Sequence, residues 1–137
     1  MANQQDLDFT YTTIDKIFRI SIGETADFSG AKYDGDFSMT LEEAQKQKHK
    51  FIADSLNIKK GSKVLDMACG WGPFLNYINT DRGAVSTGLT LSQGQAAACQ
   101  KNGLNVIVKD CRYVKPSDFG QFDAITCIGG MEHFLFD

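Results

Sequence analysis

Alternating small residues behind an aspartate are the feature of this sequence best suited to binding a ligand. In the segment VLDMACGWGPF, residues 64–74, Asp66 ends an apolar run and is followed at alternate positions by Ala68, Gly70 and Gly72. Glycines permit a sharp bend and let a ligand approach the backbone with no Cβ in the way. The segment therefore predicts a cradle for a nucleotide-like ligand or, alternatively, only a tight turn between a strand and a helix.

Two common phosphate-binding loops do not fit this segment. The dinucleotide motif G-x-G-x-x-G requires a third glycine where Leu75 stands, and an acid about 20 residues further on, where the chain has Thr90 and Leu91. The Walker loop requires Lys followed by Ser or Thr, and no such pair follows the glycines. A nicotinamide or nucleoside triphosphate site is therefore disfavoured.

From Ser62 onward, short apolar runs alternate with helical stretches, which is the pattern of a parallel α/β sheet. The runs KVLDM, AVSTGL, NVIVKD and DAITCI predict strands, and GPFLNYIN and SQGQAAACQKNG predict helices. Ser92 is a suitable N-cap and Gly103 a suitable C′ residue for the second of these helices. Right-handed βαβ connections would then bring segment 64–74 to the sheet edge where open α/β sheets bind ligands.

A short amphipathic helix and a loop are predicted before Thr40. The stretch TTIDKIFRISIG ends in a candidate C-cap, Gly23, and carries four apolar residues on one helical face: Ile14, Ile17, Phe18 and Ile22. The following stretch ETADFSGAKYDGDFS is rich in Gly, Asp and Ser and lacks periodicity. We therefore expect it to form a loop.

A second amphipathic helix is predicted by TLEEAQKQKHKFIADSLNIKKG, which closes before Gly61. Thr40 and Glu43 have the spacing of a capping box. Its apolar stripe consists of Ala44, Phe51, Ile52 and Leu56. We therefore expect the lysines of this helix and His49 to face solvent.

Composition and charge favour one globular domain that does not bind nucleic acid. The 137 residues are 42% hydrophobic, and the formal net charge is -3. A charged-then-apolar leader pattern is not seen at the N-terminus, and no segment approaches the ~20 apolar residues that span a bilayer, so a cytoplasmic location is expected. The cysteines form no C-x-x-C pair, which disfavours a metal site and favours reduced thiols: Cys69, Cys99, Cys111 and Cys127.

Four segments together resemble the cyclopropane fatty acid synthase and mycolic acid cyclopropane synthase family of class I S-adenosylmethionine-dependent methyltransferases. The similarity runs from Tyr11 to Phe134, and its motifs, in chain order, are TLEEAQ (40–45), DMACGWG (66–72), GLTLSQGQ (88–95) and GGMEHF (129–134). The resemblance implies a Rossmann-like core, here residues 61–137 and truncated after the fourth strand. Residues 1–60 would supply N-terminal helices and a cofactor-covering loop within the same compact domain.

The resemblance implies S-adenosyl-L-methionine as the cofactor and methyl transfer as the activity. It also implies that Asp110 accepts a bond from the adenine amino group, and that Ala68, a glycine in the family, adds a methyl group at the closest backbone approach. The residues at cofactor-binding positions are Phe28, Ser29, Asp66, Ala68, Cys69, Gly70, Trp71, Gly72, Thr90, Leu91, Ser92, Gln95, Asp110 and Cys111.

Glu132 and His133 are the candidate catalytic residues, because a carboxylate and an imidazole after the fourth strand could act as general bases. The alternative for His133 is a helix-start residue bonded to the backbone. The resemblance implies that family members hold a bicarbonate base with a counterpart of Glu132 and with a cysteine where this chain has Gly30. The loss of that cysteine disfavours bicarbonate and ring closure and leaves methyl transfer intact. Cys69 and Cys127 are expected to be small buried residues, because neither has a basic partner in sequence.

The expected methyl acceptor is an unsaturated lipid acyl chain. A small amine acceptor and a non-catalytic cofactor-binding module are the alternatives. The family's core has seven strands and a substrate-covering segment, whereas this chain stops at Asp137 after a fourth strand. We therefore expect the fourth strand to lie at an open sheet edge, completed by a missing C-terminal half, a partner or a second copy in a homo-oligomer.

Overall fold

Four short parallel strands form one sheet in which the first and second strands are the inner pair. A computed structural model of the chain describes residues 3–22 and 26–133. The strands are β1 (Lys63–Asp66), β2 (Val85–Thr90), β3 (Val106–Val108) and β4 (Ala124–Thr126). They pair in the order β3-β2-β1-β4, and Asp66 lies opposite Gly88 of β2 and Thr126 of β4. The predicted parallel α/β sheet is confirmed.

Helices connect and cover the strands, and their ends carry the predicted caps. They are α1 (Gln4–Ile22), α2 (Leu41–Ser55), α3 (Pro73–Arg82), α4 (Gln93–Lys101) and α5 (Pro116–Phe119), with 3-10 turns at Cys111–Tyr113 and Met131–His133. Thr40 and Glu43 form the capping box of α2, and the Ser92 hydroxyl accepts the Gln95 N–H at the start of α4. Gly103 has φ of 76° after α4, as a C′ glycine requires.

Helix α1 is longer than the sequence pattern predicted. It begins at Gln4, where Asn3 and Asp6 bond reciprocally, each side chain accepting the other's backbone N–H. This N-terminal cap provides a start signal that hydrophobic periodicity alone does not detect. Ile17 is 59% exposed, so the apolar stripe of α1 is only partly covered. The burial of Phe18 and Ile22 and the predicted cap at Gly23 lie outside what the structure describes.

The predicted solvent-facing side of α2 is wrong at two positions. Lys48 and His49 are each only 7% exposed, whereas Phe51 of the predicted apolar stripe is 55% exposed. A buried ammonium or imidazole is tolerated when a charged partner meets it. That partner is the carboxylate of Asp27, which precedes the helix in the predicted loop and lies 2.8 Å from both side chains.

The apolar core lies mainly on one face of the sheet, the face shared by Val64, Val106 and Ala124. One cluster joins β1 and β4 to α2 and α3 and contains Ala53, Ile58, Val64, Phe74, Ile78, Ala84 and Ala124. The other joins β3 to α4 and contains Cys69, Leu75, Ala96, Cys99, Leu104 and Val106. Both clusters hold the strand ends against the helices that follow them.

Strand β4 forms one edge of the sheet. Within residues 26–133 it pairs only with β1, and Ile125 at its centre is 56% exposed. The predicted edge position of the fourth strand is therefore confirmed. Among the described helices, none combines the length and the apolar character needed to cross a bilayer.

Candidate functional site

The loop between β1 and α3 is both a tight turn and a cradle. Gly70 and Gly72 have φ of 55° and 77°, a region that favours glycine. A Cβ on Gly72 would lie 2.6 Å from Leu104 Cδ1, so this glycine is needed for packing. A Cβ on Gly70 would meet no atom within 4 Å, so this glycine borders open space. The two interpretations of the sequence therefore apply to different glycines of one loop.

Asp66 places a buried carboxyl group at the base of this loop. It is 2% exposed, and its Oδ1 accepts the Ala68 N–H at 3.2 Å. Burial raises the pKa of Asp66 to about 7, despite that hydrogen bond. A cationic group beside it would favour the ionised form. The site therefore carries a carboxyl group whose charge depends on what binds next to it.

The loop that precedes α2 contacts the loop between β1 and α3. We call residues 26–40 the covering loop. The Phe28 ring lies 5.0 Å from that of Trp71, with an interplanar angle of 51°, and Trp71 is only 5% exposed. Ser29 Cβ lies 3.1 Å from the position that a Cβ on Gly129 would take. The covering loop therefore contacts both the β1–α3 loop and the exit of β4.

The methyl group of Ala68 packs against the exit of β4. It lies 2.4 Å from the position that a Cβ on Gly130 would take, and Cys127 Sγ lies 3.1 Å from the same position. Space that a side chain at position 130 would need is thus taken by Ala68. The extra methyl group relative to the family pattern is accommodated by a neighbouring glycine.

The two candidate catalytic side chains follow β4 in the turn Met131–His133 and are exposed. Glu132 Oε1 lies 3.9 Å from the Cβ position of Gly129, next to the contact with Ser29. The His133 backbone N–H donates to the Gly130 carbonyl at 3.1 Å, which agrees with a helix-start position and leaves the imidazole at the surface. Both groups are thus accessible at the same edge as the cradle.

The polar residues after β2 bond mainly to one another. Thr90 donates to Gln95 Oε1 at 2.5 Å, its hydroxyl accepts the Ser92 N–H, and the Ser92 hydroxyl caps α4. All three are at most 6% exposed, whereas Leu91 is 41% exposed. Leu91 is therefore the residue of this turn whose apolar side chain is exposed.

Asp110 is held by its neighbour Arg112. Its carboxylate accepts two bonds from the Arg112 Nε at 3.0 and 3.1 Å and one from Nη2 at 2.6 Å. The Arg112 hydrogen bonds are the main reason that the pKa of Asp110 is lowered. Cys111, beside it, is half-buried. Asp110 is thus ionised and oriented after β3, at the same edge of the sheet as Asp66.

The cysteines near the loop have the properties of packing residues. The thiols of Cys69 and Cys99 both donate to the Gly70 carbonyl, at 3.7 and 3.6 Å, from inside the core. The hydrogen bond with Cys99 and burial raise the pKa of Cys69, and burial raises that of Cys127. Both thiols therefore remain protonated at neutral pH and are poor nucleophiles.

Sequence reasoning missed a buried polar cluster that supports the covering loop. Lys48 Nζ lies 2.8 Å from Asp27 Oδ2 and 2.7 Å from Ser29 Oγ, and His49 Nε2 lies 2.8 Å from Asp27 Oδ2. Hydrogen bonds from His49 and Lys48 lower the pKa of Asp27 to about 2 despite burial. A signal was present: Lys48 stands four residues after buried Ala44, on the inward face of α2.

The fold is that of the Rossmann-like methyltransferases. The structure of coclaurine N-methyltransferase bound to N-methylheliamine and SAH aligns with a TM-score of 0.72 at 20% identity, over 90% of this chain and 40% of that chain. The family model described as mycolic acid cyclopropane synthetase matches residues 1–137. The chain therefore belongs to the mycolic acid cyclopropane synthetase family.

Two relatives show how much of the family this chain spans. Cyclopropane mycolic acid synthase MmaA2 of Mycobacterium tuberculosis is 34% identical over 137 residues, which are 97% of this chain and 47% of the relative. The structure of mycolic acid cyclopropane synthase CmaA1 complexed with SAH and CTAB aligns with a TM-score of 0.83 at 28% identity, over 97% of this chain and 48% of that chain. The chain thus spans about half the length of these relatives.

Proposed function

We propose that this chain is the cofactor-binding half of an S-adenosyl-L-methionine-dependent methyltransferase that acts on an unsaturated lipid acyl chain. The observation that carries the proposal is the open space at Gly70, in the loop that connects buried Asp66 to Trp71, against whose ring Phe28 lies. Membership of the family and the SAH in the CmaA1 complex support the cofactor. The name of MmaA2 supports a lipid acceptor.

The residues present fit this cofactor. Gly70 leaves room for a ligand at the backbone, and the ionised carboxylate of Asp66 would attract a positive charge there. When bound, S-adenosyl-L-methionine supplies an electrophilic methyl group on a sulfonium. Such a methyl group needs orientation more than activation. The covering loop, through Phe28 on Trp71, therefore contributes by excluding water and by holding the cofactor in one orientation. In this proposal exposed Glu132 accepts the proton released from the acceptor.

The two glycines Gly70 and Gly103 provide a matched test of cofactor binding. Both have positive φ, and a Cβ on either would meet nothing within 4 Å. We expect Gly70→Ala and Gly103→Ala to cost about 1 kcal/mol each in unfolding free energy, because alanine is strained there. Only Gly70→Ala is expected to weaken S-adenosyl-L-methionine binding, by about tenfold or more.

Binding is measured by titration while following the emission of Trp71, the one tryptophan in the chain, and by calorimetry. Equal affinities of the two variants for S-adenosyl-L-methionine would show that the cradle at Gly70 does not bind the cofactor. No heat and no fluorescence change at millimolar cofactor with the wild-type chain would reject the cofactor itself.

A second candidate function is methyl transfer without ring closure, to the same lipid or to a small amine. The observation that favours it is Gly30, which stands where family members have a bicarbonate-holding cysteine. A Cβ on Gly30 would meet nothing within 4 Å, and the residue's φ is not in the left-handed region. A cysteine therefore fits at this position without repacking.

The Gly30→Cys variant tests this candidate. We expect an unfolding free energy within about 0.5 kcal/mol of wild type, because the position is open and exposed. In the full-length protein assayed with unsaturated phospholipid vesicles, we expect the ratio of cyclopropanated to methylated product to rise. Mass spectrometry of the acyl chains measures this ratio. An unchanged ratio in a folded variant would show that Gly30 does not determine the product.

The edge of β4 is where we propose that the remaining sheet pairs. Within residues 26–133 this strand pairs only with β1, and the backbone N–H and C=O groups along its other edge call for a neighbouring strand. The C-terminal half of a longer protein is the proposed neighbour, and a second copy of this chain is the alternative. Sedimentation of the chain alone and of the longer protein distinguishes them, because only the second copy makes this chain a dimer.

A further inference from the structure

We propose that Lys48 is a positioning residue that fixes the Asp27–Phe28–Ser29 segment over the cradle. The inference rests on the proposed function only for the identity of the ligand beneath the segment. Lys48 lies on α2, outside the crevice, and acts through the residues of the covering loop. It would therefore affect cofactor affinity without touching the cofactor.

The ammonium group of Lys48 has three protein acceptors. Its Nζ lies 2.8 Å from Asp27 Oδ2, 2.7 Å from Ser29 Oγ and 2.5 Å from Gln45 Oε1. An ammonium has three N–H donors, so the group can be satisfied entirely by these oxygens. The side chain of Lys48 is 9% exposed, as is that of Asp27. One cation thus ties α2 to two residues of the covering loop.

The backbone on both sides of Phe28 is also held by α2. Gln45 Nε2 donates to the Asp27 carbonyl at 3.2 Å and to the Ser29 carbonyl at 2.9 Å. Lys48 orients Gln45 for this through the amide oxygen. Because the peptide groups flanking Phe28 are held, the direction in which its side chain leaves the backbone is held with them.

The chain contains its own comparison, since the tripeptide Asp-Phe-Ser occurs at 27–29 and again at 36–38. Both copies form the same turn: the serine amide donates to the aspartate Oδ1 at 3.1 Å in the first and 3.0 Å in the second. The second copy is exposed at both Asp36 and Ser38, and Phe37 is 82% exposed against 45% for Phe28. The turn alone therefore does not set the exposure of its phenylalanine: Phe28, whose turn contacts α2, is partly exposed, whereas Phe37 is almost fully exposed.

The hydroxyl of Ser29 is used within this cluster. It donates to Asp27 Oδ1 at 2.8 Å and accepts from Lys48 at 2.7 Å. The resemblance placed Ser29 at a cofactor-binding position, but its side chain is committed to the protein. We therefore infer that Ser29 contributes there through its backbone and through the placement of Phe28.

A buried ion pair is a poor way to gain stability, because desolvation offsets most of the attraction. An apolar residue at position 48 would pack in the same space at lower cost. What the pair supplies is a defined geometry, since each charged atom must meet its partner at hydrogen-bonding distance. A defined geometry is the property that a loop covering a binding site requires.

The first test uses hydrogen exchange by NMR in the wild-type chain. The Ser29 amide is expected to exchange at least about tenfold more slowly than the Ser38 amide, because the two make the same bond to aspartate and only the first is held by Lys48. Comparable exchange at the two serines would overturn the inference, without any variant that must fold.

The second test compares two double variants of α2 and its partners. Asp27→Asn/Lys48→Met removes the buried pair without leaving a lone charge. Lys50→Met/Asp54→Asn removes an exposed pair at the same 2.8 Å distance, together with the exposed contact of Asp54 with Arg82. In the first variant we expect acrylamide quenching of Trp71 to rise about threefold and S-adenosyl-L-methionine affinity to fall about tenfold, with neither changing in the second. The single variant Asp27→Asn keeps the Lys48 cation. It is expected to recover part of the affinity, and part of the protection of Trp71 from quenching, that the double variant loses.

The readouts separate this inference from the proposed function. Quenching and exchange concern the free chain, so they decide the role of Lys48 even if no cofactor binds. A folded Asp27→Asn/Lys48→Met variant with wild-type quenching would overturn the positioning role, whatever its affinity. If that variant does not fold, the comparison of Ser29 with Ser38 decides.

Discussion

The Asp66→Asn variant is expected to be more stable than the wild-type chain at pH 8 and to bind S-adenosyl-L-methionine at least about tenfold more weakly. Burial raises the pKa of Asp66 from 3.8 to about 7. Between these two values the folded chain binds a proton that the unfolded chain has lost, so stability falls as pH rises through this window and levels off above it. The neutral amide avoids that loss.

The size of the effect follows from the pKa difference. A shift of about three units corresponds to a cost on the order of 4 kcal/mol once the carboxyl group is ionised. The stability difference between variant and wild type is therefore expected to be small near pH 4 and to reach this order near pH 8. Urea denaturation at several pH values measures it.

Affinity is expected to change in the opposite direction, since the ionised carboxylate attracts the cationic cofactor. Wild-type affinity should fall as pH drops below 7, and that of Asp66→Asn should stay flat. Asp123→Asn is the control, because Asp123 is an exposed aspartate next to the other end of the sheet, where its carboxylate accepts the Lys63 N–H. A variant at Asp66 with wild-type stability at pH 8 and wild-type affinity would show that its charge is not used.

Gly130→Ala is the second substitution with a large expected effect. Its Cβ would lie 2.4 Å from Ala68 Cβ and 3.1 Å from Cys127 Sγ. Overpacking of this kind costs about 1–3 kcal/mol, and here it would also push the β1–α3 loop away from β4. We expect the unfolding free energy to fall by that amount and cofactor affinity to fall with it.

Ala68→Gly is expected to restore the Gly130→Ala variant. The double variant exchanges the positions of one methyl group, so a coupling energy of about 2 kcal/mol should appear in the cycle of unfolding free energies. Gly129→Ala is the matched control, because its Cβ would meet Ser29 at 3.1 Å instead and its φ is 66°. Ala68→Gly should not rescue it. Additive effects of Ala68→Gly and Gly130→Ala would refute the packing argument.

Local signals in the sequence predicted the elements well. The capping box of Thr40 and Glu43 and the N-cap of Ser92 are short-range patterns whose chemistry is complete within four residues. The four strands were found because apolar runs of strand length, separated by helices, have few alternative arrangements. Family resemblance placed Phe28 and Trp71 at one site, which no local pattern does, and the structure brings their rings to 5.0 Å.

Long-range polar contacts were not predictable in the same way. His49 was assigned to solvent because polarity alone places an imidazole outside, whereas its acceptor, Asp27, is 22 residues away in sequence. The commitment of Thr90 to Gln95 was missed for a related reason, since a motif names the residues at a site and not the bonds among them. Ala68 was expected to crowd the cofactor, and its accommodation by Gly130 depends on two strand ends meeting.

His49 also determines how the crevice is prepared before any ligand arrives. Its ring lies 5.7 Å from both Phe74 and Tyr77 of α3, while its Nε2 bonds Asp27. Helix α3 begins directly after Gly72, so the His49 imidazole connects the helix that follows the β1–α3 loop to the covering loop. The covering loop therefore loses its conformational entropy when the chain folds and not when a ligand binds. This makes the site preorganised for its ligand.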